Sequence, residues 1–211
     1  MTTIGIIGAG NIGQAVAEAV IARGHDVVIA NSRGPETLGD LVARLGDRAT
    51  AGTIEQAAGA GELVLLAIPL AKETELEPSL FAGKIVIDAD NYYPQRDGDI
   101  ADLADGTETS AGRLQAMLPD ARVVKAFNHI MARQIVTDAT ASGTPGRRAL
   151  AVFGDDEDAR GVVAALIDEV GFDVVDGGAL AESWRIQVGQ PGYVTQDTAA
   201  ELRAHLAEAT R

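Results

Sequence analysis

Short runs of β-branched and aliphatic residues alternate along the whole chain with stretches whose apolar positions recur at helical spacing. The first run, Thr3–Ile7, leads into a helical pattern over 11–23 and a second run, Asp26–Ala30. The same reading predicts helices at 36–45, 54–60, 110–118, 131–137, 155–170 and 198–209, the last amphipathic. It predicts strands at 49–51, 63–67, 85–88, 122–126, 149–153 and 172–175, a helix-like stretch from 70 to 80, and loops at 90–98 and 142–146. Alternation of this kind is the signature of a layered α/β sheet with parallel strands.

The turn after the first run reads Gly8-Ala9-Gly10-Asn11-Ile12-Gly13. In that position the first glycine permits the tight turn, the second lets the backbone approach a pyrophosphate, and the third lets the helix pack closely on its strand. The helix N-terminus then faces the anion. A glycine triplet alone is weak, but here strand, turn, helix and second strand fall in register. The expectation is a Rossmann-type, doubly wound, mainly parallel α/β fold. Residues 1–128 are expected to form the dinucleotide-binding domain, and 129–211 a small C-terminal α/β extension packed on the same sheet.

The end of the second run selects the dinucleotide. A carboxylate there would accept hydrogen bonds from a ribose 2′-hydroxyl and repel a 2′-phosphate. The chain instead has Asn31-Ser32-Arg33. Asn31 is neutral, Ser32 can hydrogen-bond a phosphate oxygen, and Arg33 can clamp one through its guanidinium fork. NADP(H) is therefore expected over NAD(H).

Composition removes several other chemistries. The chain has no cysteine and three histidines (His25, His129, His205), which excludes thiolate chemistry and disfavours a metal site. A formal charge of −14 argues against nucleic acid and anionic membranes. No apolar run approaches a membrane span, and the first strand begins at once, which leads to an expected cytoplasmic location. The basic residues Arg122, Lys125, Arg133, Arg147 and Arg148 read as solvated surface charges.

Ligands in an open α/β sheet lie across the carboxyl ends of the strands. Those ends carry Ala67-Ile68-Pro69-Leu70, Asp88 to Tyr93, and Phe127-Asn128-His129, and these three groups should surround a nicotinamide. Pro69 offers a surface without an N–H, Asn91 and Asn128 offer amides for a carboxamide, and Tyr92, Tyr93 and Phe127 offer apolar walls. His129 is the candidate proton donor, while His25 and His205 read as inert. Asp88, Asp90 and Asp97 are acidic, but no paired-carboxylate geometry is legible, and no Tyr–Lys pair of the short-chain dehydrogenase kind occurs.

Together these residues resemble the NADPH-dependent reductases of the deazaflavin coenzyme F420, a family that includes the oxidoreductase domain of the STEAP metalloreductases. The resemblance rests on Ile6 to Gly13, Asn31-Ser32-Arg33, Ala67-Ile68-Pro69, Ile87-Asp88 with Asn91, Val123-Val124-Lys125-Ala126-Phe127-Asn128, and Gly154-Asp155-Asp156. It implies NADPH along the strand ends, a deazaflavin stacked on the nicotinamide, direct hydride transfer, and a homodimer. Two bulky rings follow Asn91 where family members commonly have proline, and His129 stands where threonine is usual. The C-terminal segment lacks the long apolar helix that builds the deazaflavin pocket in better-known reductases. Two alternatives accompany this reading: a redox sensor that holds NADP(H) without turnover, and an NADPH reductase of another small substrate.

Overall fold

A computed structural model describes all 211 residues, Met1–Arg211. Its strands are β1 (Thr3–Ile7), β2 (Asp26–Ala30), β3 (Ala49–Ala51), β4 (Leu63–Leu66), β5 (Ile85–Asp88), β6 (Arg122–Lys125), β7 (Ala149–Gly154) and β8 (Asp173–Asp176). They form one sheet in the order β3-β2-β1-β4-β5-β6-β7-β8. Every neighbouring pair is parallel except β6 and β7. The fold is therefore Rossmann-type and mainly parallel, and the strand order reverses between β1 and β4. That reversal is where such sheets open a crevice.

The helices are α1 (Asn11–Ile21), α2 (Gly39–Leu45), α3 (Ile54–Gly59), α4 (Pro94–Asp97), α5 (Ala101–Ala104), α6 (Ser110–Met117), α7 (Ala132–Thr137), α8 (Glu157–Val170) and α9 (Ala199–Glu208). Period-two alternation sorts the strand side chains onto two faces. Ile4, Ile6, Leu65, Ile87 and Val124 share a core with α1 and α8, while Ile7, Val64, Leu66, Val86 and Val123 share one with α3 and α6. A smaller cluster joins Phe153 and Val175 to Ile186 and to Leu202 and Leu206 of α9. No helix is long and apolar enough to cross a membrane.

Three departures from the sequence pattern matter for the site. The strands do not stay parallel from end to end, because the connection from β6 to β7 carries only the short α7, which packs on α1, and β7 runs back down the sheet. The stretch from Leu70 to Phe81 forms two 3-10 turns in place of a helix-like segment. The expected loop at 90–98 contains α4, started by Pro94 and closed by Gly98 at φ 80°, and Asp97 accepts a hydrogen bond from the Tyr93 N–H at 2.9 Å. A further 3-10 segment at Leu180–Ile186 carries no helical periodicity and was not expected.

Candidate active site

Two adjoining cavities of about 330 and 620 Å³ run across the carboxyl ends of β1, β2, β4, β5 and β6. They share Gly10, Ala67, Ile68 and Pro69 and so make one continuous cleft. Of the residues singled out from sequence, Gly8, Ala9, Asn31, Ser32 and Arg33 line the smaller cavity, and Asn11, Ile12, Asn91, Phe127 and Asn128 the larger. Gly13 lies beneath them in α1.

The glycine turn has the shape its sequence requires. Gly8 has φ +115°, and a Cβ on it would strike the Ala67 carbonyl, so β1 and β4 can meet there only without a side chain. A Cβ on Gly13 would strike the Gly8 carbonyl, whereas one on Gly10 would meet nothing. Room above Gly10 is thus left open toward the cleft. No side chain caps α1 at Gly10, which leaves the first-turn N–H groups facing outward as free donors.

At the β2 end, Asn31 organises its own loop. Its Oδ1 accepts from the Arg33 N–H at 2.8 Å and its Nδ2 donates to Thr37 Oγ1 at 2.9 Å. Ser32 and Arg33 are thereby displayed, exposed, at the cavity edge. Lys72, which the sequence pattern did not single out, lines the same cavity and is paired with Glu75 at 2.6 Å.

The β5 and β6 ends are sealed and cross-braced. Asn91 Nδ2 donates to the Asn128 carbonyl at 2.7 Å, and Asn128 Nδ2 donates to Asn91 Oδ1 at 3.1 Å and to the Ile186 carbonyl at 3.2 Å. Both amide hydrogens of Asn128 are spent, while Asn91 keeps one free. Phe127 is fully buried at φ 61°, and Val194 sits across the larger cavity at φ 55°, a conformation that is unfavourable for a β-branched residue. Both positive-φ residues other than glycine thus line the larger cavity. The Val194 N–H donates to the His129 carbonyl at 3.1 Å, and the Tyr193 and Tyr93 hydroxyls meet at 2.7 Å, so the C-terminal segment closes the wall. Burial and the Tyr93 contact raise the Tyr193 hydroxyl above its ordinary pKa.

Beneath this wall lies a charged cluster. Lys125, expected as a solvated charge, is 2% exposed and donates to Asp88 Oδ2 at 2.9 Å, to Ser110 Oγ at 3.1 Å and to the Asp90 carbonyl. Arg147 and Arg148 are likewise buried, Arg147 on Asp168 and Asp173 and Arg148 on Asp138. These three basic residues are structural ion-pair partners and not surface charges. Asp88 and Asp90 come together with Glu73 of the turn after β4, their ligand-type oxygen atoms within 4.8 Å of one another. The sequence showed no such grouping, since Glu73 lies in a segment without clear periodicity. Asp97, by contrast, pairs with Arg96 at 2.8 Å.

His129 does not reach the cleft as expected of a proton donor. It is 2% exposed, its Nε2 accepts from the Ala151 N–H at 3.1 Å, and its Nδ1 lies 3.3 Å from Asn128 Oδ1. Burial, and then the charges of Arg148 and Lys125, push its pKa down to about 3. A neutral ring with both nitrogens engaged ties β6 to β7. His25 bonds Thr2 and Glu169, and His205 bonds Asp197, both away from the cleft.

The family model for coenzyme F420-dependent NADP oxidoreductases matches residues 3–92. A hypothetical protein from Sinorhizobium meliloti of known structure is 38% identical, with 93% of this chain and 95% of that one covered and a TM-score of 0.76. A candidate F420-dependent NADP reductase from Arthrobacter sp. is 26% identical over 87% of this chain and 86% of that one, with a TM-score of 0.73. The metalloreductase STEAP3 of Rattus norvegicus is 26% identical over 87% of this chain, which spans only 35% of that protein's length.

Proposed function

The chain belongs to the coenzyme F420-dependent NADP oxidoreductases, and from that premise we propose that its cleft binds NADPH and passes a hydride to a planar deazaflavin or flavin-like acceptor. The observation that carries this reading is the pairing of an uncapped α1 N-terminus over open Gly10 with a continuous cleft ending between Asn91, Phe127 and Asn128. Gly8, Ala9, Gly10, Asn11, Ile12 and Gly13 form the cradle for the pyrophosphate. Asn31 holds the loop from which Ser32 and Arg33 bind the 2′-phosphate, and Lys72 adds a second cation there.

Ala67, Ile68 and Pro69 form the apolar floor shared by both cavities, suited to the flat face of a nicotinamide. Asn91 has the free N–H for its carboxamide, and Asn128 positions Asn91. Bound NADPH supplies the hydride; the chain's part is to align two rings and exclude water, at reacting distances of about 3–3.5 Å. Tyr93, Tyr193, Met131 and Val194 form the wall available to the acceptor. The proposal extends to a homodimer, carried by family likeness, and to the cytoplasm.

Mixing the protein and NADPH in parallel with F420, FMN, FAD, ferric chelates and simple carbonyl compounds tests the reading. NADPH loss with the deazaflavin or a flavin is expected. Loss with carbonyls alone moves the substrate to another class, and tight NADPH binding without loss in any mixture makes the protein a sensor.

A further inference from the structure

Glu73 is 1% exposed, and neither of its carboxyl oxygens has a hydrogen-bond partner. Asp90, 7% exposed, has an unpartnered Oδ2 beside it. The nearby cation cannot serve them, because Lys125 spends its three hydrogens on Asp88, Ser110 and the Asp90 carbonyl. Lys125 offsets one of the three carboxylate charges, that of Asp88, and leaves Glu73 and Asp90 uncompensated. Two bare carboxylates in this place would leave buried acceptors without a donor and add their repulsion to that of Asp88. A single proton held between them lowers both penalties, turning the contact into an O–H···O⁻ bond.

We propose that Glu73 and Asp90 share one proton and that Asp90 delivers it to the acceptor being reduced in the cleft. This rests on the hydride-transfer reading above. Asp90 lines the larger cavity beside Asn91, Tyr93 and Phe127, whereas Glu73 lies behind it in the turn that follows Pro69. In the balanced step NADPH becomes NADP⁺ as its C–H bond breaks and the hydrogen leaves with both electrons, forming a new bond to hydrogen on the acceptor. The Asp90 O–H bond then breaks, its electron pair stays on the carboxylate oxygen, and the proton forms the new bond on the reduced acceptor. Solvent entering the cleft returns one proton to the pair. Asp90 is the catalytic acid and Glu73 the positioning residue that keeps it supplied.

The charged groups facing the pair are Asp88 from β5, Lys125 from β6 and Arg96 from α4. Burial first, and then the Asp88 charge, raise both carboxyl groups above the ordinary carboxylate range, against the opposing pull of Lys125. The two titrate as a pair, so the proton is present at neutral pH and lost on the alkaline side.

Infrared spectroscopy of the whole protein reads the proton without any acceptor. A protonated-carboxyl band is expected at neutral pH, lost on alkaline titration and absent in Glu73→Gln. With the acceptor that the parallel mixtures identify, Asp90→Asn is expected to lower kcat by roughly 100-fold or more with NADPH affinity within about twofold of wild type. Glu73→Gln is expected to abolish the alkaline limb of the wild-type pH profile. No band at neutral pH, or wild-type turnover in Asp90→Asn, overturns the proposal. Should Asp90→Asn fail to fold, the band and pH profile of Glu73→Gln decide alone. Wild-type protein that binds NADPH yet oxidises it with no acceptor overturns hydride transfer and delivery together, while unaffected turnover in both variants overturns delivery only.

Discussion

The two ends of the cleft are built by opposite means. At the β2 end the functional candidates are consecutive, exposed and held by a loop that bonds to itself through Asn31. At the β5 and β6 end they come from distant parts of the chain and are buried: Lys125 reaches Asp88, Asn91 reaches Asn128, and Tyr93 reaches Tyr193. The first end can lose the side chain of Ser32 or Arg33 without losing any hydrogen bond that holds the fold. The second cannot, because the same side chains hold the sheet ends together.

The sharpest way to break that contrast is Lys125→Ala. It strands Asp88 in the core without its partner, and removing one member of a buried pair costs about 3–5 kcal/mol, so the urea midpoint should fall steeply. A variant as stable as wild type would show that the β5 and β6 end is not braced through this ion pair. Acidification comes next. Since folding holds the His129 ring neutral with its pKa lowered to about 3, its contribution is complete above the ordinary pKa near 6.5 and shrinks as pH falls from there toward 3. The loss should be about 1 kcal/mol per pH unit, read from denaturation midpoints between pH 7 and 4.5, and His129→Gln should flatten that slope.

Arg33→Ala probes the other end. Loss of a charge-assisted bond worth roughly 1.5–3 kcal/mol should weaken NADPH binding about tenfold, leave NADH binding nearly unchanged, and leave the unfolding midpoint where it was. Equal losses for both dinucleotides in calorimetry would remove the 2′-phosphate from Arg33. The mildest change, Tyr193→Phe, gives up one hydroxyl contact, and a cost of about 0.5–1.5 kcal/mol should appear in stability and in the acceptor KM, with NADPH affinity unaltered.

The same contrast explains what the sequence could disclose. The Gly8-to-Gly13 turn and Asn31-Ser32-Arg33 were legible because each acts through backbone and neighbours only a few residues away. The strands were legible because short continuous apolar runs, buried on both faces of the sheet, mark them individually, but the reversal of β7 was not, since direction depends on where a connection travels. Lys125 carries a signal in its neighbours: a lysine closing an apolar run and followed by Ala126-Phe127 has to be buried with a partner, as does Asp88 closing Ile85-Val86-Ile87. Glu73 gave none. Its segment follows no period, and only the tertiary fold brings it to Asp90.

The late place of Tyr193 and Val194 in the chain sets an assembly order. After β8 the polypeptide still has to pass through Leu180–Ile186 before those two residues can close the wall of the larger cavity. A nascent chain emerging from the ribosome can therefore complete its dinucleotide cradle early, yet it stays without a finished partner chamber until nearly all of its residues have been made.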